Sequence, residues 1–324
     1  MHPPQSSPTL WLTEFNTPWD ACCHGIVKVL HQARTPFQEM MIVETGAYGK
    51  ALVLDGCWQA STGDEFLYHE PLVHPACLIQ GGPRQVLILG GGDGAALREA
   101  LKWRTVEQAV LVDLDAQVID ACRRYLPEMH QGAFDDPRVQ VKVEEAFSFL
   151  RRGDRRWDVI ISDLTDPEEQ GPSRPLFTRE FFQLCRDALT PGGSFLLQAG
   201  LAGPPEMDLH VRLAATVAHV FGQMYHFISH IPTWGSPMGF VMGTDRPGAW
   251  NDPPPEKVDE ILSTSLHGTL KMFDGRTMRA LMNPPKYLRD AISRETRIFT
   301  LSDLPEGYNA KAEQRVQENR LRWG

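Results

Sequence analysis

Two aspartates three positions apart, Asp163 and Asp166, stand in the stretch Ile161-Ser162-Asp163-Leu164-Thr165-Asp166-Pro167, where an apolar run gives way to a loop. A primary amine with a pKa near ~10 is protonated, and so not nucleophilic, at neutral pH. A carboxylate beside it can take its proton before or during attack. The pair suits amine chemistry, with Asp163 as base and Asp166 holding a substrate ammonium in line. Two loop acids capping a turn are the plainer alternative.

A second group lies upstream, in Gly90-Gly91-Gly92-Asp93-Gly94, directly after the apolar run QVLILG. Glycines at the carboxyl end of a strand let the backbone turn tightly and approach a ligand closely. Alone, such a turn is weak evidence. Asp113 strengthens it, lying about 20 residues on at the end of the next strand, where an acid takes the ribose hydroxyls of a nucleotide-like ligand. Glu144-Glu145-Ala146 ends a third strand on the same edge. Glu145 there can accept from an adenine amino group with Ala146 against the ring, or simply cap the next helix. No lysine follows the glycines, which favours a nucleoside without phosphates. Asp93 inside the turn would repel a phosphate and welcome an ammonium. The pattern points to an adenosine with a cationic tail.

A third cluster is Gly63-Asp64-Glu65-Phe66-Leu67-Tyr68-His69-Glu70. Carboxylates with aromatic faces between them suit a linear polyamine, whose methylenes run along rings while its cations meet acids. A helix whose first turn is acidic has the same look. Trp234 could wall the same groove or sit in the core.

These residues need elements to hold them. Residues 85–201 alternate strands (QVLILG, QAVLVDLD, VQVKVEE, WDVIISDL, GSFLLQAG) with helices, which predicts an α/β fold with a Rossmann-like, parallel-rich sheet. From Trp11 to about Tyr68, short β-branched runs between Gly and Pro signals predict a small antiparallel β region. HEPLVHPACLI predicts a short helix, TREFFQLCRDALT and EKVDEILSTSL two more, and PGAWNDPPP a loop. The expected organisation is an N-terminal β domain over 1–70, a catalytic domain over 71–308 and a charged tail over 309–324.

Composition sets bounds. Across 324 residues, 42% are hydrophobic and 23% charged, as in ordinary globular chains. A net charge of -9 argues against nucleic-acid binding and suits a cationic substrate. The six cysteines lack metal-site spacing, so unpaired thiols, no metal and a cytoplasmic setting are expected. No leader is read in MHPPQSSPTL, and no apolar run approaches the ~18 residues of a membrane span.

Together, PFQEM, GKALVLDG, the Asp64-to-Glu70 cluster, HPA, LGGGDGA, VDLD, SDLTDP and LTPGG resemble the polyamine aminopropyltransferases, over roughly Trp11 to Thr300. The resemblance implies a β domain before a methyltransferase-type Rossmann-like domain, assembled as a homodimer or homotetramer. It implies transfer of an aminopropyl group from decarboxylated S-adenosylmethionine, a co-substrate, to a small amine, with no prosthetic group. By the same resemblance, Gln38 and Pro172 would meet the nucleoside, Asp113 the ribose, and Glu145-Ala146 the adenine. His69 and Asp93 would meet the aminopropyl side, Asp163 would accept the proton, and Asp163 with Asp166 would bind the amine. Gly90 and Gly92 belong to the nucleoside turn.

The chain also departs from the family pattern. Glu145 stands where Asp is common, and Thr62-Gly63 where Glu-Arg often occurs. Gln198-Ala199-Gly200 and EMHQGAFDDPR look like the branch acting on agmatine or triamines, including thermospermine synthases. Putrescine, agmatine and spermidine all stay open as acceptors. The rivals are an S-adenosylmethionine-dependent methyltransferase on the same fold and a non-catalytic polyamine-binding protein.

Overall fold

The computed structural model describes residues 7–16, 20–153, 155–167, 171–248 and 250–305. The expected tail over 309–324 lies outside them. Five strands come first: β1 (Leu10–Phe15), β2 (Ala21–Arg34), β3 (Glu39–Thr45), β4 (Gly49–Leu54) and β5 (Cys57–Ser61). They pair in chain order as one antiparallel sheet. This is the β region that the spacing of apolar runs and turns predicts.

Next comes α1 (Phe66–Gln80), longer than the predicted short helix, and it continues through Pro71 and Pro75. Proline at 71 has no N–H to offer the carbonyl four residues back. Ser229 Oγ donates to that carbonyl, Leu67 O, at 2.7 Å, so the freed acceptor is satisfied from outside the helix. The helix crosses residue 70 and packs against the second sheet.

That sheet alternates with helices: β6 (Gln85–Gly90), α2 (Ala95–Leu101), β7 (Gln108–Asp113), α3 (Ala116–Tyr125), α4 (Pro127–His130), β8 (Val139–Val143), α5 (Ala146–Arg151), β9 (Trp157–Asp163), α6 (Arg179–Ala188), β10 (Leu189–Leu201), α7 (Asp208–Val220), β11 (Gln223–His230) and β12 (Pro237–Thr244). Then follow α8 (Pro255–Ser265), α9 (Gly275–Leu281) and α10 (Lys286–Arg294). The spatial order is β11-β12-β10-β9-β6-β7-β8. β6 to β10 run parallel, as the sequence predicts. The antiparallel strands β11 and β12, which the sequence reading did not include, extend the sheet at one edge.

Successive residues of β6 enter opposite cores. Val86 and Ile88 pack with Leu72, Leu97 and Phe240, whereas Leu87 and Leu89 pack with Phe177, Phe181 and Leu213. A strand buried on both faces must read as a continuous apolar run, which is why QVLILG lacks alternation.

On the β12 side, His210 of α7 lies buried over Gly239, where a Cβ would collide with its ring. Neither ring nitrogen has a hydrogen-bond partner among the described residues, and His226 of β11 is a neighbouring imidazole, 5.7 Å between centroids. Burial, then His226, pushes His210 down to about 3; burial, then Arg289, pushes His226 down to about 4. Because both folded values lie below the unfolded one near ~6.5, the unfolded chain binds more protons in this window. Stability from keeping both rings neutral is present above about pH 6.5 and is lost as pH falls toward 4 and 3. His210→Leu is expected to flatten the acid limb of a denaturant-derived stability profile by up to about 1.4 kcal/mol per pH unit. An unchanged slope between pH 6 and 4 would refute this.

Candidate active site

Parallel register brings the strand ends to one rim. Gly90 of β6 pairs with Asp163 of β9, and Leu89 pairs with Val112, one residue before Asp113. The chain turns at Gly90 with φ +80°, and Gly91 N donates to Asp163 O at 2.9 Å. A Cβ on Gly90 would collide with that same carbonyl oxygen. The glycine is therefore demanded by backbone angle and by proximity to the strand that carries Asp163.

Past the turn, Asp93 Oδ1 accepts from Ala95 N at 2.8 Å, leaving Oδ2 facing His69 Nε2 at 3.7 Å. A cavity of about 690 Å³ opens here, bounded by both sheets. Asp93, Asp113, Asp163 and Asp166 all line it, as do Tyr68 and His69.

At one end, Asp113 Oδ1 accepts from Asp115 N at 2.9 Å. Burial pushes its carboxyl up to about 6 against that bond, and Asp115 and Asp93 add repulsion. Asp115 caps α3 and also accepts from Thr35 Oγ1 at 2.6 Å and Gln38 Nε2 at 3.0 Å. Gln38, on the turn between β2 and β3, is thus tied to the rim of the other sheet. Glu145 caps α5, accepting from Phe147 N at 2.6 Å and Ser148 N at 2.8 Å. Of the two roles left open for Glu145, the cap is present, and its side chain with Ala146 and Pro172 also lines the cavity.

At the other end, Tyr68 Oη donates to Asp163 Oδ1 at 2.6 Å. Burial raises Asp163 to about 6; His69 opposes the rise, Asp93 adds to it, and the Tyr68 bond opposes it. Asp166 Oδ1 accepts from Gln198 Nε2 at 3.0 Å, and burial raises its pKa against that bond. Trp234 meets Tyr68 edge-on at 5.2 Å and donates through Nε1 to Trp58 O at 3.0 Å, so it walls the cavity while bridging the two sheets.

Three acids of the third cluster face elsewhere. Asp64, expected at the amine groove, is buried outside the cavity lining, accepting from Ser61 Oγ at 2.5 Å and Thr233 N at 3.1 Å. Glu70 accepts from the backbone N–H groups of Lys271, Met272 and Phe273. Glu65 lies behind His69 and pairs with it and with Arg98. All three carboxylates are engaged by internal donors, and none of them lines the cavity.

Asp55, Asp115, Glu14 and Glu206 also line the cavity, and the sequence analysis does not single them out. Glu14 of β1 accepts from Trp58 N at 2.9 Å, and burial, against that bond, pushes it up to about 7, with Asp166 adding repulsion. Its only signal is an acid on the Leu10-Leu12 face of LWLTEF. Glu206, before α7, accepts from Ser236 Oγ, and burial raises it too. No spacing marks it.

The chain matches the family model described as "Spermine/spermidine synthase domain" over residues 65–248. It matches "Spermidine synthase tetramerisation domain" over residues 10–61, which supports a homo-oligomer. A polyamine aminopropyltransferase of a Synechococcus species is 49% identical over 302 residues, 91% of this chain and 96% of that relative. One from Aeropyrum pernix is 41% identical over 90% of this chain and 94% of its own. A crystal structure of spermidine synthase in complex with the transition state analogue AdoDATO superimposes with TM-score 0.82 at 29% identity, covering 91% of this chain and 99% of the other. Spermidine synthase from Thermotoga maritima gives 0.80 at 28%, covering 91% and 98%.

Replacing Gly90 with alanine is expected to destabilise the fold by roughly 1–3 kcal/mol, through a positive φ and a collision with β9. Gly46→Ala, where no atom of the described residues beyond the adjoining ones lies within 4 Å of an added Cβ, is expected to stay within about 0.5 kcal/mol of wild type. Equal denaturation midpoints for the two variants would contradict the demand at Gly90.

Proposed function

The chain belongs to the spermine/spermidine synthase family of polyamine aminopropyltransferases, and from that premise we propose that its cavity seats decarboxylated S-adenosylmethionine beside an acceptor amine. The observation that carries this reading is that Asp93, Asp163 and Asp166 open into one cavity with Asp113. Asp113 would take the ribose hydroxyls, with Gln38, Glu145, Ala146 and Pro172 around the base and Gly90 and Gly92 giving close backbone approach. Asp93 would receive the donor's ammonium, with His69 beside it. Asp163 and Asp166 would hold the acceptor.

In this reading the acceptor nitrogen gives a proton to Asp163 and attacks the methylene next to the sulfonium. The new C–N bond forms as the C–S bond breaks, and the bonding pair goes to sulfur. Methylthioadenosine leaves as a neutral thioether, so the leaving group needs no acid. Catalysis rests on positioning and on charge placed in advance. A base near 6 with Tyr68 fixing one of its oxygens is suited to proton transfer near neutral pH.

Beyond Asp166 the cavity continues to Glu14 and Glu206. Those two acids support an acceptor with a further cationic group, which spermidine and agmatine provide as well as putrescine. The N-terminal sheet, with Leu10, Trp11 and Val29 exposed, would serve association into a dimer or tetramer and would close the cavity. The division expected at residue 70 falls inside α1, which packs on the second sheet, so the division proposed instead lies between β5 and α1. No disulfide joins the cysteines, as suits a cytoplasmic enzyme. Among the described residues no helix is long and apolar enough to cross a membrane.

Asp163→Asn is expected to lower turnover by about 10²–10⁴, followed as methylthioadenosine release, with products identified by mass across an acceptor panel. Unchanged turnover would rule out the base role, and a methylated amine without aminopropyl transfer would favour a methyltransferase. In the wild type, protonation of Asp163 should make the rate fall as pH drops below about 6. Glu14→Gln should raise the acceptor KM on the order of tenfold, the worth of one charge-assisted hydrogen bond, with the donor KM unchanged. Equal shifts in both would remove Glu14 from the acceptor path.

A further inference from the structure

His69 is buried between two carboxylates that differ in what holds them. Its Nδ1 lies 2.9 Å from Glu65 Oε2 and 3.0 Å from Glu65 O, while Nε2 faces Asp93 Oδ2 at 3.7 Å. A ring nitrogen directed at a carboxylate carries a proton, because a lone pair there would meet like charge. With acceptors on both sides, the arrangement calls for both nitrogens protonated.

The support behind Glu65 is built from buried ions. Arg98 Nη2 donates to Glu65 Oε2 at 2.8 Å, and Arg98 Nε donates to Glu99 Oε1 at 2.8 Å. Glu99 in turn pairs with His74 and Lys102. Glu65 and Arg98 are 4% and 8% exposed, and neither lines the cavity. A buried carboxylate is costly unless paired, and Glu65 is kept ionised by both neighbours, His69 in front of it and Arg98 behind it, with Arg98 fixing its position.

The groups facing His69 are Glu65 from the start of its own helix, Arg98 of α2 behind Glu65, Asp93 from the glycine turn, Asp163 from the end of β9, and the adjoining Tyr68 ring. Burial alone would strip the proton from His69; Asp93, Glu65 and Asp163 outweigh it and hold the ring up to about 9.

We propose that Glu65, held by Arg98, is a positioning residue that fixes His69 as an imidazolium directed at Asp93, and that this fixed cation keeps Asp163 ionised for proton transfer. The proposal rests on Asp163 being the base of the aminopropyl transfer. It assigns to Glu65 an indirect task in place of the substrate contact its sequence position suggests. His69 then serves as a permanent counter-charge among cavity carboxylates, and its own proton stays in place through the reaction.

The test is a histidine-ring NMR titration of the full-length protein without substrates, with the His69 signal assigned by its absence in His69→Gln. Wild-type His69 is expected to stay protonated past pH 8. In Glu65→Gln its titration should fall by two or more pH units, and the acid limb of kcat should move up by about one unit or more as Asp163 loses its cation. Arg98→Met leaves Glu65 to His69 alone, so the ring should stay protonated and the acid limb should not rise, whatever stability is lost. A merely structural network predicts both variants weakened alike, with the His69 titration and the acid limb of Glu65→Gln unmoved. That result, or a wild-type His69 that is neutral at pH 7, would overturn the proposal. The wild-type titration decides even if Glu65→Gln fails to fold. Since it is read without turnover, it is separable from whether the chain transfers an aminopropyl group at all.

Discussion

Gathering carboxylates of one sign in a single half-buried cavity is what the rest of this structure must accommodate. Each loses hydration, and each repels the others; Asp113, Asp163 and Glu14 are all pushed toward neutrality for these reasons. The fold answers with fixed donors. Tyr68 serves Asp163, Gln198 serves Asp166, the Asp115 amide serves Asp113, and the Trp58 amide serves Glu14. Among the described residues that line the cavity, His69 alone brings a positive charge close to Asp93 and Asp163. Such a cavity is tuned for cations, since a positive ligand relieves the repulsion that the protein alone only offsets.

Geometry follows from the same need. Parallel strands β9, β6 and β7 bring their carboxyl ends to one line, and the turn at Gly90 lets β6 and β9 end in contact. The antiparallel sheet supplies what the parallel one lacks. Through Gln38 it grips Asp115, through Trp58 it receives Trp234, and Asn16 donates to Trp234 O at 2.8 Å. The cavity therefore belongs to both sheets.

Much of this is legible in the sequence, for identifiable reasons. Strands buried on both faces leave unbroken apolar runs, and a glycine cluster after the first of them marks the rim. Asp113 and Asp163 follow from the ends of later runs. The antiparallel strands β11 and β12 are harder to read, because Gly235, Pro237, Gly239 and Gly243 look like turn signals. In the folded chain Gly239 and Gly243 sit inside β12, where added Cβ atoms would collide with the His210 and Phe221 rings. Acids pose the deeper difficulty. Asp64 and Glu70 bind internal donors, Glu65 acts through His69, and Glu14 faces the cavity. In a sequence these are equivalent carboxylates, and only the three-dimensional placement of backbone N–H groups and Arg98 separates them.

The central claim, that the carboxylate-lined cavity is built for a cationic tail on a nucleoside, is tested most directly by a calorimetric comparison of two ligands. Decarboxylated S-adenosylmethionine and S-adenosylmethionine differ only in a carboxylate, which would be brought close to Asp93 and its neighbours. Binding of the decarboxylated form tenfold or more tightly, about 1.4 kcal/mol, is the predicted result. Equal affinity, or preference for the carboxylate-bearing form, would contradict it.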